Sequence, residues 1–167
     1  MNGIEPSVQA PYGFGAGNCR AKSEFASQRV SMDTAQLIRI VRLPDTGDTR
    51  GSSFVPPPEC LEFIDSIRDM HIATILPGAV RGNHYHRQHR EVVVVVHSDR
   101  WSFHWDSGPG SAIRTEECLG AGAVMLAIEP LAAHAIRNDG AAELYVIGFS
   151  NVAYDIRMPD SHRRPVV

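Results

Sequence analysis

Residues 77–97 read PGAVRGNHYHRQHREVVVVVH, two short apolar segments on either side of a polar turn. His84 and His86 are two residues apart, so in a strand both imidazoles project from the same face. Residues 87–90 can reverse the chain, so that Glu91 re-enters on a neighbouring strand and faces inward. The sequence therefore predicts that two imidazoles and one carboxylate meet in the same interior.

The strand after this turn is apolar at every position from Val92 to Val96. Such a run is typical of a central strand buried on both faces, so we expect another layer or a partner subunit to cover it from outside. Its inward face is predicted to carry Glu91, Val93, Val95 and His97. Three aromatic residues share one face of the next strand and form either part of the core or the floor of a ligand site: Trp101, Phe103 and Trp105.

Outward from this region, short apolar runs alternate with Gly, Pro, Asp and Asn from Gln36 onward, a pattern typical of all-β domains. No apolar periodicity of helical length occurs. We predict strands near residues 36–43, 60–64, 70–76, 83–86, 91–97, 100–106, 112–118, 123–128, 133–137 and 142–149, which suggests a jelly roll or a small barrel. Residues 1–33 lack such patterning and are expected to form a poorly ordered N-terminal extension, followed by one domain over 34–160 and a C-terminal tail over 161–167.

Composition limits the classes of partner. The chain has 167 residues and a formal net charge of −3, without the cationic excess that nucleic-acid binding usually needs. No apolar run approaches the length needed to span a bilayer, so neither a nucleic acid nor a membrane is an expected partner. Three widely spaced cysteines match neither a disulfide framework nor a zinc-ribbon spacing, so we expect a reduced, cytoplasmic protein.

Two motifs carry a resemblance to a known family. Gly78, His84-Tyr85-His86 and Glu91 resemble the first motif of the cupin superfamily, although Ser98 stands where that motif ends in glycine. A looser second motif comprises Gly122, Pro130, His134 and Asn138. Residues 77–86 and the segment from Phe149 to Asp160 are similar to the cupin domains of capsular-polysaccharide assembly proteins and to relatives of sugar-nucleotide epimerases. The resemblance covers residues 36 to 160.

The resemblance implies a single cupin domain, a double-stranded β-helix of jelly-roll type. It also implies one divalent transition metal (Zn, Mn, Fe, Ni, Co or Cu), bound by His84, His86, Glu91 and His134. Imidazole and carboxylate ligands suit all of these metals, so the ligand set does not select one. Cupins usually form dimers, so a homodimer is expected. Arg81 matches an arginine that helps to hold a sugar-nucleotide phosphate in relatives, and His97 is a candidate for the wall of the substrate pocket.

These features favour a metal-dependent enzyme of the isomerase or epimerase type, acting on a sugar-linked or other small polar carbonyl substrate. A metal-free sugar-nucleotide isomerase that uses His84 and His86 as acid and base is an alternative. A non-catalytic small-molecule-binding cupin and an Fe(II) oxygenase are further alternatives. The sequence does not assign a catalytic residue.

Overall fold

The computed structural model describes residues 37–167, and the predicted N-terminal extension, residues 1–33, lies outside this range. The described part of the chain contains ten strands and one helix. In chain order these are β1 (Ile38–Leu43), α1 (Pro58–Ile64), β2 (Asp69–Ile75), β3 (Val80–Tyr85), β4 (Glu91–His97), β5 (Trp101–Trp105), β6 (Arg114–Cys118), β7 (Gly122–Ile128), β8 (His134–Asn138), β9 (Leu144–Ser150) and β10 (His162–Arg163).

The strands form two five-stranded sheets with the orders β1-β7-β4-β9-β2 and β10-β3-β8-β5-β6. Neighbouring strands in both sheets are antiparallel. Consecutive strands alternate between the sheets at several points, as when β3 leads through its turn into β4 of the other sheet. The predicted all-β jelly roll is confirmed. Within residues 37–167, no helix is long and apolar enough to cross a membrane.

The main core lies between the two sheets. Trp101 and Phe103 are completely buried there, and Trp105 packs partly buried against the same cluster. Val93 and Val95 contribute from the opposite sheet. The aromatic stripe of β5 is therefore part of the core, the first of the two interpretations that its alternation allows, and large buried aromatic side chains contribute strongly to such a core.

The outer face of β4 is covered by helix α1. Val92 and Val94 belong to a second apolar cluster with Cys60 and Ile64 of the helix. The prediction that β4 is covered on both faces holds from Val92 to Val95, and α1 supplies the outer layer within the same chain. It is wrong at Val96, where 37% of the residue is exposed.

The predicted strand over residues 60–64 is wrong, because this segment is the helix α1. Pro58 stands at the first turn of the helix, where its fixed φ and missing N–H are tolerated. Cys60 and Ile64 are four residues apart and therefore lie on one helix face, and both are buried. The helix has only seven residues and buries only two of them. This segment is too short to reveal a helical period in the sequence.

The C-terminal residues complete the second sheet. In β10, His162 pairs with Tyr85 and Arg163 pairs with His84 of β3. Val166 is buried in a small apolar cluster with Ala133 and Ala135. Residues 162–166, which the sequence analysis placed in a tail beyond the domain, thus include a strand that pairs directly with the strand that carries His84.

Candidate functional site

A cavity of about 770 Å³ opens between the two sheets. Strands β2, β4 and β9 contribute one wall, and β3 and β8 contribute the other. The segment after β9 adds Tyr154, Asp160 and Ser161 at the edge of the cavity. A volume of this size is typical of pockets that bind small organic ligands.

His84 of β3 reaches the cavity beside a local irregularity in the strand. The register of β3 against β8 shifts between Gly82 and His84, and Asn83 has a φ of 59°. Gly82 allows the two strands to approach, since a Cβ at this position would lie 2.5 Å from the carbonyl oxygen of His134. As a result His84 lies opposite His134, with their ring centroids 4.9 Å apart.

Glu91, the first residue of β4, lies among these imidazoles. Its Oε2 atom is 3.2 Å from Nε2 of His86 and 3.3 Å from Nε2 of His134. One potential ligand atom from each of four residues lies within 4.8 Å of the other three: His84, His86, Glu91 and His134. The structure thus brings together the four residues that the sequence selected, from β3, β4, β8 and the turn after β3.

The donor atoms of this cluster fit a bound metal ion. Nε2 of His86 and Oε2 of Glu91 are buried and make no well-aligned hydrogen bond within residues 37–167, although they are close together. The Nδ1 atoms of His86 and His134 are held by main-chain carbonyls of Asp160 and Ala132. Because a carbonyl only accepts, each Nδ1 carries the hydrogen, and each Nε2 is directed to the cluster.

Burial and charge set the protonation of the cluster. Burial, reinforced by neighbouring His134 and His86, lowers the pKa of His84 to about 4. Burial also lowers the pKa of His86, but the Glu91 carboxylate outweighs it, so the pKa is raised. Burial raises the pKa of Glu91, and its contacts with His134 and His86 outweigh this and leave it well below the usual value. At neutral pH the cluster therefore contains an ionised carboxylate and a neutral His84.

Arg81 lines the same cavity, and its Nε donates a hydrogen bond to the carbonyl oxygen of Thr74, at 2.9 Å. This bond attaches the Arg81 side chain to the main chain of β2. Tyr85 points to the opposite face of β3, as its alternation with the histidines predicts, and its ring lies 4.3 Å from the guanidinium carbon of Arg164.

His97, predicted as a pocket-wall residue, lies elsewhere. It shares the inward face of β4 with Glu91, but six residues of strand separate the two by about 20 Å. Its Nδ1 is 2.8 Å from the carbonyl oxygen of Gly120, and its ring packs at 5.7 Å from that of Trp101. Glu91 and His97 share a strand face but not a site, because they lie at opposite ends of β4.

The structure adds residues to the cavity that no motif selected. Asp69 and His71 reach it from β2, with their neighbours Met70 and Ile72 exposed on the other face. This alternation was visible in the sequence, but it gave no indication of what β2 faces. His89 and Asp160 also line the cavity. Only the paths of the β3–β4 turn and of the C-terminal segment bring these two together.

Comparison with known proteins agrees with this architecture. The family model described as the polysaccharide biosynthesis C-terminal domain matches residues 46–162. No match was found among curated proteins.

Similar solved structures include the capsular polysaccharide assembling protein CapF from Staphylococcus aureus, with 23% identity, a TM-score of 0.54, and coverage of 75% of this chain and 33% of that protein. The chain thus spans about a third of CapF. The sugar 3,4-ketoisomerase QdtA from Thermoanaerobacterium thermosaccharolyticum, in complex with TDP, has 19% identity and a TM-score of 0.56 over 77% of this chain and 88% of its own. The dTDP-6-deoxy-D-glucose-3,5-epimerase RmlC from Legionella pneumophila has 19% identity and a TM-score of 0.58 over 72% and 69%. These similarities confirm the predicted cupin fold.

Proposed function

Because the chain belongs to the polysaccharide biosynthesis C-terminal domain family, we propose that it is a metal-dependent isomerase or epimerase acting on a sugar-linked carbonyl substrate. One observation carries the proposal: four side chains from separate segments direct ligand atoms to one point within a ligand-sized cavity. Structural clusters of buried polar groups are normally paired internally, whereas this one leaves a buried imidazole nitrogen and a carboxylate oxygen without aligned partners.

The metal site would consist of His84, His86, Glu91 and His134. Three imidazoles and one carboxylate suit a divalent first-row transition metal. When bound, such an ion supplies a Lewis acid that can polarise a carbonyl oxygen. Glu91 contributes the negative charge that offsets the ion, and the burial of Glu91 limits competition from water.

The substrate class follows from the cavity and from the neighbours. The QdtA structure contains TDP, and the RmlC structure contains dTDP-4-keto-L-rhamnose. We propose a nucleoside diphosphate-linked keto sugar as the substrate here. In this proposal Arg81, which lines the cavity, holds a phosphate oxygen, and a planar guanidinium suits this role. His71 supplies an imidazole in the cavity outside the four-residue cluster, able to take a proton from a carbon beside the carbonyl.

A metal-free isomerase is the second candidate, and the opposite pKa shifts of two histidines favour it. The pKa of His84 is lowered to about 4, whereas that of His86 is raised. A pair of titratable groups displaced in opposite directions is typical of an acid and a base acting together. In this mechanism His84 accepts the proton from carbon and His86 donates one to the carbonyl oxygen.

The experiment that tests the first proposal is elemental analysis of untagged protein purified without chelators. We expect about one transition metal ion per chain in the wild type and none in the His84→Ala/His134→Ala double variant. His97→Asn is the matched control, because it removes a buried imidazole far from the cluster. Substoichiometric metal that the double variant retains would contradict the metal site.

Catalysis is tested by solvent exchange. In D2O, the metal-loaded enzyme should introduce deuterium into TDP-4-keto-6-deoxyglucose, the sugar nucleotide bound in a QdtA complex. Exchange that survives complete chelation would favour the acid and base mechanism of His84 and His86. Binding of the sugar nucleotide without exchange would favour a non-catalytic cupin. A homodimer and a cytoplasmic location remain predictions of the proposal.

A further inference from the structure

Asp160, in the C-terminal segment, is attached to the turn that joins β3 to β4. Its carboxylate accepts hydrogen bonds from the main-chain N–H groups of Arg87 and Gln88, at 2.8 to 3.1 Å, and a longer one of 3.3 Å from His89. Nε2 of His162 lies 3.1 Å from the same carboxylate. One partly buried side chain, 13% exposed, thus satisfies three consecutive N–H groups of the turn.

The main chain of Asp160 contacts the candidate metal site directly. Its carbonyl oxygen accepts a hydrogen bond from Nδ1 of His86. A carbonyl cannot donate, so this contact favours the tautomer with hydrogen on Nδ1 and leaves Nε2 facing Glu91. A metal-bound histidine usually has its second ring nitrogen held in this way, and the partner affects metal affinity.

Both ends of the turn are held by residues from other parts of the chain, one before β8 and one after β9. The N–H of Arg90 donates to the side-chain oxygen of Asn151, at 2.8 Å. At the start of the turn, the carbonyl of His86 accepts from the N–H of Leu131, at 2.7 Å. The separation between His86 and Glu91 therefore depends on contacts with distant parts of the chain, and those of Asp160 are the most numerous within the turn.

We propose that Asp160 is a positioning residue for this site: its carboxylate fixes the β3–β4 turn and its carbonyl orients the His86 imidazole, so that Nε2 meets the other three ligands. The proposal rests on the proposed metal site. Asp160 itself stays outside the ligand set, because its carboxylate oxygens are already occupied by the N–H groups of the turn.

The test measures the affinity of the full-length protein for Co²⁺ by competition with a chelator, together with the visible spectrum of the bound ion. Asp160→Ala keeps the main-chain carbonyl but removes the carboxylate that fixes the turn, so His86 and this carbonyl are no longer held in register. Binding should weaken by about 10- to 100-fold, the range found when the support of a ligating histidine is lost. Asp160→Asn keeps the shape and one acceptor oxygen, so it should fall between Asp160→Ala and the wild type. Asp155→Asn is the matched control, since within residues 37–167 the Asp155 side chain bonds only to the nearby Arg157, in an exposed part of the same segment.

Wild-type affinity in both Asp160 variants would overturn the proposal, whereas a loss with unchanged thermal unfolding would support it. If Asp160→Ala does not fold, the Co²⁺ affinity of Asp160→Asn alone tests the proposal.

If the wild type itself binds no Co²⁺, the metal site fails, and ¹⁵N spectra of the histidine side chains test Asp160 separately. At about pH 9, above the ordinary imidazole range, His86 should be the Nδ1–H tautomer in the wild type and a mixture in Asp160→Ala. Identical spectra would contradict the positioning role.

Discussion

The His71 imidazole occupies the space that Gly148 leaves by having no side chain. The two residues lie opposite each other in the antiparallel pair of β2 and β9. A Cβ at position 148 would lie 2.2 Å from Cε1 of His71 and 2.7 Å from its Nε2. Gly148 therefore determines where an imidazole of the cavity stands.

We expect Gly148→Ala to displace His71 from the cavity while changing the free energy of unfolding by less than about 1 kcal/mol. His71 is exposed on an edge strand, so it can rotate away instead of straining the core. Histidine NMR shifts and urea unfolding measure the two effects. Deuterium exchange into the keto sugar should fall as far as in His71→Asn, and full exchange in both variants would remove His71 from the mechanism.

Metal binding should stabilise the wild type. At a metal concentration 100 times the Kd, linkage gives about 2.7 kcal/mol of stabilisation. For a domain of this size we expect Tm to rise by roughly 5–15 °C. Glu91→Gln keeps the shape of the side chain but removes its charge, so its Tm should respond much less. Equal rises in both proteins, measured by calorimetry with Zn²⁺ and with Co²⁺, would place the ion elsewhere.

Arg81→Ala should weaken TDP binding by roughly 10- to 100-fold, because a charge-assisted hydrogen bond contributes about 1.5–3 kcal/mol. Arg81→Lys should recover part of this loss, since a lysine supplies charge without the planar pair of donors. Isothermal titration measures the affinities. Arg157→Ala, outside the cavity, is the control, and an equal loss there would indicate nonspecific charge attraction.

Asp139 should contribute pH-dependent stability on the second sheet. Burial raises its pKa, but the Ser102 hydroxyl and the Arg137 guanidinium, each at 2.5 Å, outweigh it and lower the pKa below 3.8. At neutral pH, Asp139→Asn should therefore lose about 1–2 kcal/mol.

The sign of the pH effect follows from that lowered pKa. As the pH falls below 3.8, the unfolded chain takes up a proton while the folded carboxylate stays ionised, so the contribution declines and is lost below the folded pKa. Urea unfolding across this range should show the wild type and Asp139→Asn converging. A constant difference between them would refute the assignment.

The helix α1 gives a prediction for packing. Ile64→Ala should cost about 2–5 kcal/mol, because Ile64 is 2% exposed against the outer face of β4. Leu61→Ala should cost far less, since Leu61 is 48% exposed. Thermal unfolding measures the loss of stability in each variant. Equal losses would contradict the prediction that only one face of α1 is buried.

Most of the strand positions could be predicted, because alternation and turn residues are local properties of the chain. The helix α1 and the short strand β10 could not. A seven-residue helix shows too little of its period, and β10 has two residues whose pairing with β3 depends on the path of the whole C-terminal segment.

The candidate site could be predicted where local geometry controls it. His84 and His86 follow from the period of a strand, and the return of Glu91 follows from a four-residue turn. The pocket-wall prediction for His97 also relied on strand alternation. His97 lies away from the cavity, because one face of a strand extends beyond a single site. Asp160 lies more than seventy residues from the turn that it holds, so no local pattern could connect the two.

The sequence by itself determined the fold class and placed His84, His86 and Glu91 together, because side-chain alternation, turn chemistry and donor type are encoded residue by residue. The resemblance to the cupin motifs added His134 as the fourth ligand candidate. Tertiary structure alone decided which residues share the cavity. The two sheets pack so that β2, β8 and the C-terminal segment converge on the β3–β4 turn, and these contacts are set by the burial of the common core. Burial and the proximity of charges also decided the opposite pKa displacements of His84 and His86, which no spacing in the sequence could indicate.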